Sequence, residues 1–318
     1  AFCVHNAATG REETMPHAIA PAEKKRRVVI VGAGPAGMEA ARVAAERGHA
    51  VTVHEAANDP GGQVRLAAQS ERRREMISII DWRFAECRRL GVTFHFNSFV
   101  DGDAVLAEKP DIVIIATGGL PHTDVTGAGD DLVVSAWDIL TGDVKPGQNV
   151  LIYDDAGDYP ALQAAEKIAE TGAKVEIMTR DRAFAPEVMA MSLTPFMRAL
   201  QKRDVTFTVT WKLQRVTRDG NRLLATIDSD YGGVTRTRSV DQVIVNHGTR
   251  PLDDVYFELK PGSSNLGAVD YEALVAGDPQ AVCSNPDGAY QLFRIGDAVS
   301  ARNIHAAIYD ALRLVKDL

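Results

Sequence analysis

Val28-Val-Ile-Val-Gly-Ala-Gly-Pro-Ala-Gly37 is the stretch whose reading decides the fold. Its first four residues are β-branched, the composition of a buried parallel strand. Gly32, Gly34 and Gly37 then stand in G-x-G-x-x-G spacing, with Pro35 and Ala36 between them. Met38 to Arg47 is Ala-rich and helical in pattern, Gly48 closes the helix, and Val51-Thr-Val-His-Glu55 reads as a second strand. Each glycine has a mechanical role: Gly32 for the tight turn, Gly34 for close approach of a diphosphate, Gly37 for helix–strand packing. The helix N-terminus favours an anion through its unpaired N–H groups and its dipole. Glu55, about 20 residues past the first glycine, is placed to accept hydrogen bonds from both hydroxyls of an adenosine ribose. A carboxylate there repels a 2′-phosphate, so the site is expected to take an unphosphorylated adenosine.

The bulk composition bounds the rest. The 318 residues suffice for two domains, and a hydrophobic fraction of 45% with 25% charged is ordinary for a globular protein. A net charge of −8 gives no general attraction for nucleic acid or anionic membrane, and no apolar run approaches the length of a membrane span. Cys3, Cys87 and Cys283 are odd in number and widely spaced, which argues against a disulfide framework and suits the cytoplasm. The chain begins Ala1-Phe2-Cys3 without an initiator Met, and reads as a piece of something longer.

Residues 1–25 read as a connector that ends in the basic run Lys24-Lys-Arg-Arg27. The first nucleotide-binding domain is expected over 26–148 and 290–318. In it, Pro60-Gly-Gly-Gln63 forms a loop on the ligand side of the sheet, where Gly61, Gly62 and Gln63 can meet phosphate or ribityl oxygens. Ser70 to Leu90 is expected as one charged helix with an apolar stripe at Ile77, Ile80, Phe84 and Cys87. Val92 to Phe96 alternates as a strand, Ala104 to Glu108 is a short helix, and Asp111 to Gly119 is a buried strand ending in Ala116-Thr117-Gly118. At the far end, Gln291 to Asp297 is a strand whose Gly296-Asp297 can serve a ribityl hydroxyl. Arg302 to Leu318 is a helix whose Asn303 and Ile304 can place N–H groups near a flavin ring.

A second domain is expected over 149–289. Its strand–helix–strand plan, Asn149 to Met178, repeats the first about 120 residues later. Its turn reads Asp154-Asp-Ala-Gly-Asp-Tyr-Pro160, with one glycine and three carboxylates. Two unit charges 4 Å apart cost roughly 4 kcal/mol near a protein surface, so this turn opposes a diphosphate. The domain is therefore read as Rossmann-type but degenerate, with Arg180 a surface arginine. Val205 to Val209, Leu213 to Thr217, Leu223 to Ile227 and Val234 to Arg238 are expected to form an antiparallel meander, and Leu252 to Tyr290 a loop-rich segment. The fold class is α/β, two Rossmann-like domains with parallel sheets plus a small antiparallel meander.

Together, Gly32-x-Gly34-x-x-Gly37, Glu55, Gly61-Gly-Gln63, Ala116-Thr-Gly118 and Ile295-Gly-Asp297 resemble the flavoprotein disulfide reductase fold. Cys3-Val-His-Asn6, Gly10-Arg-Glu12 and the Pro21 connector resemble the segment that joins an old-yellow-enzyme barrel to its C-terminal flavin module. That arrangement belongs to the trimethylamine dehydrogenase and 2,4-dienoyl-CoA reductase family, and the chain is most similar to its N-demethylating amine dehydrogenases of dimethylglycine or N-methylproline type. The resemblance implies FAD or a bare ADP in the first domain, and FMN with a [4Fe-4S] cluster in a barrel outside this chain. It matches Cys3 to the last cluster cysteine, and His5 to a connector residue rather than a ligand. It implies an oligomer that passes electrons to an electron-transfer flavoprotein. Two rivals stay open: an NAD(P)H-dependent reductase of dienoyl-CoA type, and a non-redox module that holds ADP as a structural ligand. No self-contained catalytic arrangement stands out in the chain.

Overall fold

The computed structural model describes residues 3–318; the first two residues of the expected connector lie outside the described residues. The chain divides into two compact units. One takes the chain up to Arg65, Glu75–Leu120 and Arg250–Leu318; the other takes Leu66–Arg74 and Pro121–Thr249. No helix among the described residues is long and apolar enough to cross a membrane.

The first unit is built on a five-stranded parallel sheet. Its order is Gln291–Arg294, Ile112–Ile115, Arg27–Val31, Ala50–His54, Thr93–His95. Alternate side chains leave opposite faces of a strand. Val28, Ile30, Ile112, Ile114 and Phe293 accordingly join one core with Met38 and Val43 of the Pro35–Glu46 helix, Ile79 and Ile80 of the Ser78–Arg89 helix, and Ile308 and Leu312 of the Ile304–Val315 helix. Val29, Val31, Val113, Ile115 and Leu292 join a second core with Val105, Tyr256 and Leu259 on the other face. Burial on both faces is why these strands read as unbroken apolar runs.

In the second unit the parallel order is Val133–Ser135, Gln242–Asn246, Asn149–Asp154, Lys174–Met178, Thr206–Thr208. Ile152 and Ile177 face the Tyr159–Ala169 and Ala190–Gln201 helices. Leu151, Tyr153, Val243 and Val245 face Leu213, Val216, Ala225 and Ile227 of an antiparallel meander, Trp211–Asp219, Arg222–Ser229 and Thr235–Val240.

Two sequence expectations are corrected. The strand expected over Val205 to Val209 is Thr206–Thr208, and it closes the parallel sheet instead of opening the meander. The Ala190–Gln201 helix returns the chain for that parallel pairing, and Pro195 inside it hid the helix from a periodicity reading. Ser70 to Leu90 is not one helix: Glu71–Ile77 is a 3-10 segment with no buried residue, and the α-helix begins at Ser78. Glu71-Arg-Arg-Arg-Glu75 has no apolar stripe to bury, so nothing holds it in register with the rest. Leu252 to Tyr290 is loop-rich but carries two short helices, Asp254–Leu259 and Tyr271–Ala276.

One buried charge fixes the start of the described chain to this core. Arg83 is 0% exposed. Its guanidinium donates to a Glu39 carboxylate oxygen (2.8 Å), to the Ile79 carbonyl (3.0 Å) and to the His5 carbonyl (2.7 Å). Breaking such a pair leaves an uncompensated buried charge, so Glu39→Ala should lower unfolding free energy in urea by about 3–5 kcal/mol. Glu39→Gln, which keeps an acceptor, should cost less.

Candidate functional site

Gly32 ends the first strand at φ +106°, and its N–H donates to the His54 carbonyl at 2.7 Å. A Cβ there would stand 2.4 Å from the Ala116 carbonyl oxygen, and one at Gly37 would stand 1.9 Å from that of Gly32. Neither position admits a side chain. Gly34 differs: its φ is an ordinary −71°, and nothing lies within 4 Å of where its Cβ would be. Gly34 caps the Pro35–Glu46 helix without a side-chain hydrogen bond, and Pro35 starts it. The N–H groups of Ala36 and Gly37 belong to the first turn, which has no intrahelical acceptors.

Glu55 is turned into the same crook. One carboxylate oxygen accepts from the Ala33 N–H at 2.6 Å, the other from the Ala57 N–H at 2.9 Å. The Gly61 N–H donates to the Ala33 carbonyl at 2.8 Å, and a Cβ on Gly62, at φ +50°, would lie 3.4 Å from the Gly34 Cα. The Pro60–Gln63 loop therefore lies on the glycine turn. Gln63 Nε2 donates to Asp297 Oδ2 at 3.0 Å, and Asp297 Oδ1 accepts from the Arg302 N–H at 3.1 Å. Burial pushes the Asp297 carboxyl up. A Cβ on Gly296 would sit 2.9 Å from that of Ala36, so the last strand also ends against the turn.

The remaining candidates stand less directly on it. Thr117 turns its hydroxyl to the Leu252 carbonyl, and the Gly118 carbonyl accepts from the Leu252 N–H. Asn303 Oδ1 accepts from the Ala306 N–H as the cap of the last helix, and Ile304 is that helix's first residue. Cys3 is half-buried, with its carbonyl 3.2 Å from His305 Nδ1, at the head of that helix and not at the glycine turn. Among the described residues, no group of three or more His, Cys, Asp or Glu side chains could hold a metal ion. Cys87 is buried, its thiol is pushed up to about 12 by burial, and it donates to the Met38 carbonyl.

A bracket behind Glu55 escaped the sequence reading. The Glu55 N–H donates to the His95 carbonyl and the Ser98 N–H to the Glu55 carbonyl, both at 2.9 Å. His54 links Ser98 Oγ, at 2.9 Å, to the Glu108 carboxylate. The only signal for it was a polar residue at an inward-facing strand end.

At the corresponding turn of the second unit the space is filled. Asp154, 1% exposed, accepts at Oδ1 from the Gly157 N–H (3.0 Å) and from Asn246 Nδ2 (2.9 Å). The same Asn246 nitrogen donates to Asp158 Oδ1 at 2.7 Å. Burial is the main reason that the Asp154 carboxyl is pushed up to about 7, and it raises Asp158 too. Arg180 is half-exposed between two carboxylates, 4.0 Å from Asp155 and 3.8 Å from Asp230.

The sequence profile of the pyridine nucleotide-disulphide oxidoreductase family matches residues 26–270. A probable N-methylproline demethylase of Rhizobium meliloti is 68% identical over 100% of this chain and 47% of its own length. An N,N-dimethylglycine/sarcosine dehydrogenase of Chromohalobacter salexigens is 44% identical over 99% of this chain, again 47% of its own length. The chain thus spans about half the length of these curated relatives. Among solved structures, a 2-naphthoyl-CoA reductase superposes with a TM-score of 0.81 at 29% identity, over 100% of this chain and 43% of its own.

The raised Asp154 carboxyl has a testable consequence. A group protonated more readily in the folded chain stabilises it at low pH, and that contribution is lost as pH rises toward about 7. Asp154→Asn should therefore raise the melting temperature above neutral pH, by the equivalent of at most about 4 kcal/mol, and change it little near pH 4.

Proposed function

The chain belongs to the pyridine nucleotide-disulphide oxidoreductase family, and on that premise we propose that it is the C-terminal nucleotide-binding module of a flavoprotein that dehydrogenates a small N-methylated amine. One observation carries the nucleotide assignment. Gly34, Glu55, Gly62, Gln63 and Asp297, scattered over most of the sequence, converge on a single crook that is open above Gly34. The polar groups fit an ADP-containing ligand: first-turn N–H groups to donate to the diphosphate, Glu55 to accept from the ribose hydroxyls, and the Gln63–Asp297 pair for a polyol beyond it. The polyol contacts favour FAD over bare ADP. FAD, when bound, supplies the redox chemistry, while the protein positions it and sets its electrostatics.

The amine substrate is drawn from the names of the two curated relatives, which share about half their length with this chain. The remaining half is proposed to be the barrel that holds FMN and a [4Fe-4S] cluster, on the same chain or a partner. Cys3 cannot hold a cluster alone; it would be the fourth cysteine of one whose other ligands lie in that half. An electron-transfer flavoprotein is the proposed acceptor, and the cytoplasm the proposed compartment. A second reading, an NAD(P)H-dependent reductase of an acyl-CoA, draws support from the naphthoyl-CoA reductase superposition. The carboxylates at the second turn weigh against it, because they oppose the diphosphate of the donor.

Extraction of the purified chain should release FAD with its visible flavin absorption. Release of ADP alone would leave a structural-ligand role. Gly34→Ala should fold with less than about 1 kcal/mol lost, since φ is ordinary and the Cβ meets nothing. It should nevertheless weaken nucleotide binding at least tenfold, because the added methyl occupies the diphosphate's approach. Unchanged affinity in isothermal titration would remove this assignment.

A further inference from the structure

The turn of the second unit raises a question that electrostatic repulsion alone leaves open: what satisfies the head of a helix shaped to receive a diphosphate. Asp158 is the cap residue of the Tyr159–Ala169 helix, yet its side chain makes no capping bond; it accepts from Asn246 instead. Asn246, at the end of the Gln242–Asn246 strand, spends one nitrogen on both Asp154 and Asp158. Gly157, at φ +67°, admits no side chain, since a Cβ there would meet the Pro186 ring at 2.6 Å. From the outside, the Leu66–Arg74 segment closes over the helix. The Arg73 guanidinium carbon stands 3.7 Å from the Tyr159 ring centre, Arg73 Nη1 donates to Gln163, and Gln163 donates to the Ala67 carbonyl. Arg72 pairs with Glu166 at 2.6 Å. The charge of Arg73 lies near Asp158 and lowers its carboxyl against the effect of burial.

We propose that Asp158, bridged through Asn246 to Asp154 and covered by Arg73 and Tyr159, takes the place of a pyridine-nucleotide diphosphate, so that the second unit is permanently occupied by its own side chains and closed to NAD(P)H. A carboxylate at a helix head next to an arginine reproduces the charge pattern of a bound phosphate. Burial, and to a smaller degree the neighbouring Asp158 charge, pushes the Asp154 carboxyl up to about 7, so the two carboxylates sharing one amide need not both be ionised. The inference rests on the flavoprotein reading and deepens it by naming the residues that refuse a pyridine-nucleotide electron donor.

The experiment is a fluorescence titration of the purified chain, with its own nucleotide retained, by NADH. Wild type should show no saturable binding at millimolar NADH. Asp154→Gly/Asp158→Gly should gain one site, at least tenfold tighter than any wild-type signal, competed by inorganic pyrophosphate and retained in a Glu55→Ala background. Saturable, pyrophosphate-sensitive binding to wild type that survives Glu55→Ala would overturn the proposal. So would a folded double variant that binds no better than wild type. If the double variant loses its cooperative melt, Asp158→Ala is read by the same criteria. The flavin assignment is scored separately, by extraction: a chain that yields no flavin and still refuses NADH defeats that assignment and leaves this inference standing.

Discussion

The first unit depends on one close approach: the backbone of Gly37 against that of Gly32, with the Ala116 carbonyl behind Gly32. The distances that a Cβ would have to occupy, 1.9 and 2.4 Å, are well inside contact. The helix head can therefore lie directly against the strand end, beside the open space at Gly34. Everything assigned to the site is arranged around that point: Glu55 from the second strand, the Gly61–Gln63 loop laid on top, and Gly296 pressed against Ala36 from the last strand. The packing constraint and the binding geometry are the same contact.

The second unit shows what happens when the same topology loses that chemistry. Its strands, crossover helix and apolar cores remain, with Ile152 and Ile177 packed as firmly as their counterparts. The turn differs: Asp154 and Asp158 stand there, one amide bridges them, and the Arg73 charge lies near Asp158. Topology is kept by the hydrophobic core, whereas ligand choice rests on a handful of residues at one corner.

How far the sequence disclosed this follows from the range of the interactions. The glycine turn and the buried parallel strands are local patterns, and the coordinates place strand, turn and helix where the sequence puts them, with Glu55 turned to the Ala33 N–H. The pairing of Gln63 with Asp297 joins residues at opposite ends of the chain, and spacing alone could name each without joining them. Asn246 carries no local signal; its role exists because the Gln242–Asn246 strand lies beside Asn149–Asp154, which is a matter of sheet order. Arg73 sat inside what looked like a solvated helix, and only the packing of Leu66–Arg74 with the second unit reveals its ring contact. The Ala190–Gln201 helix had no place in the sequence reading, and it carries Pro195 inside it, a residue that local propensity sets against a helix.

The bond between Gln63 and Asp297 also sets a schedule for biosynthesis. The strand Gln291–Arg294 must insert beside Ile112–Ile115 before Asp297 can reach Gln63. A nascent chain at the ribosome can form the glycine turn early, but it lacks the far wall of the cradle until its C-terminal strand and helix emerge. Capture of the proposed nucleotide would therefore wait on a segment 234 residues downstream of Gln63, and a chain interrupted before Asp297 would lack the wall that this bond supplies.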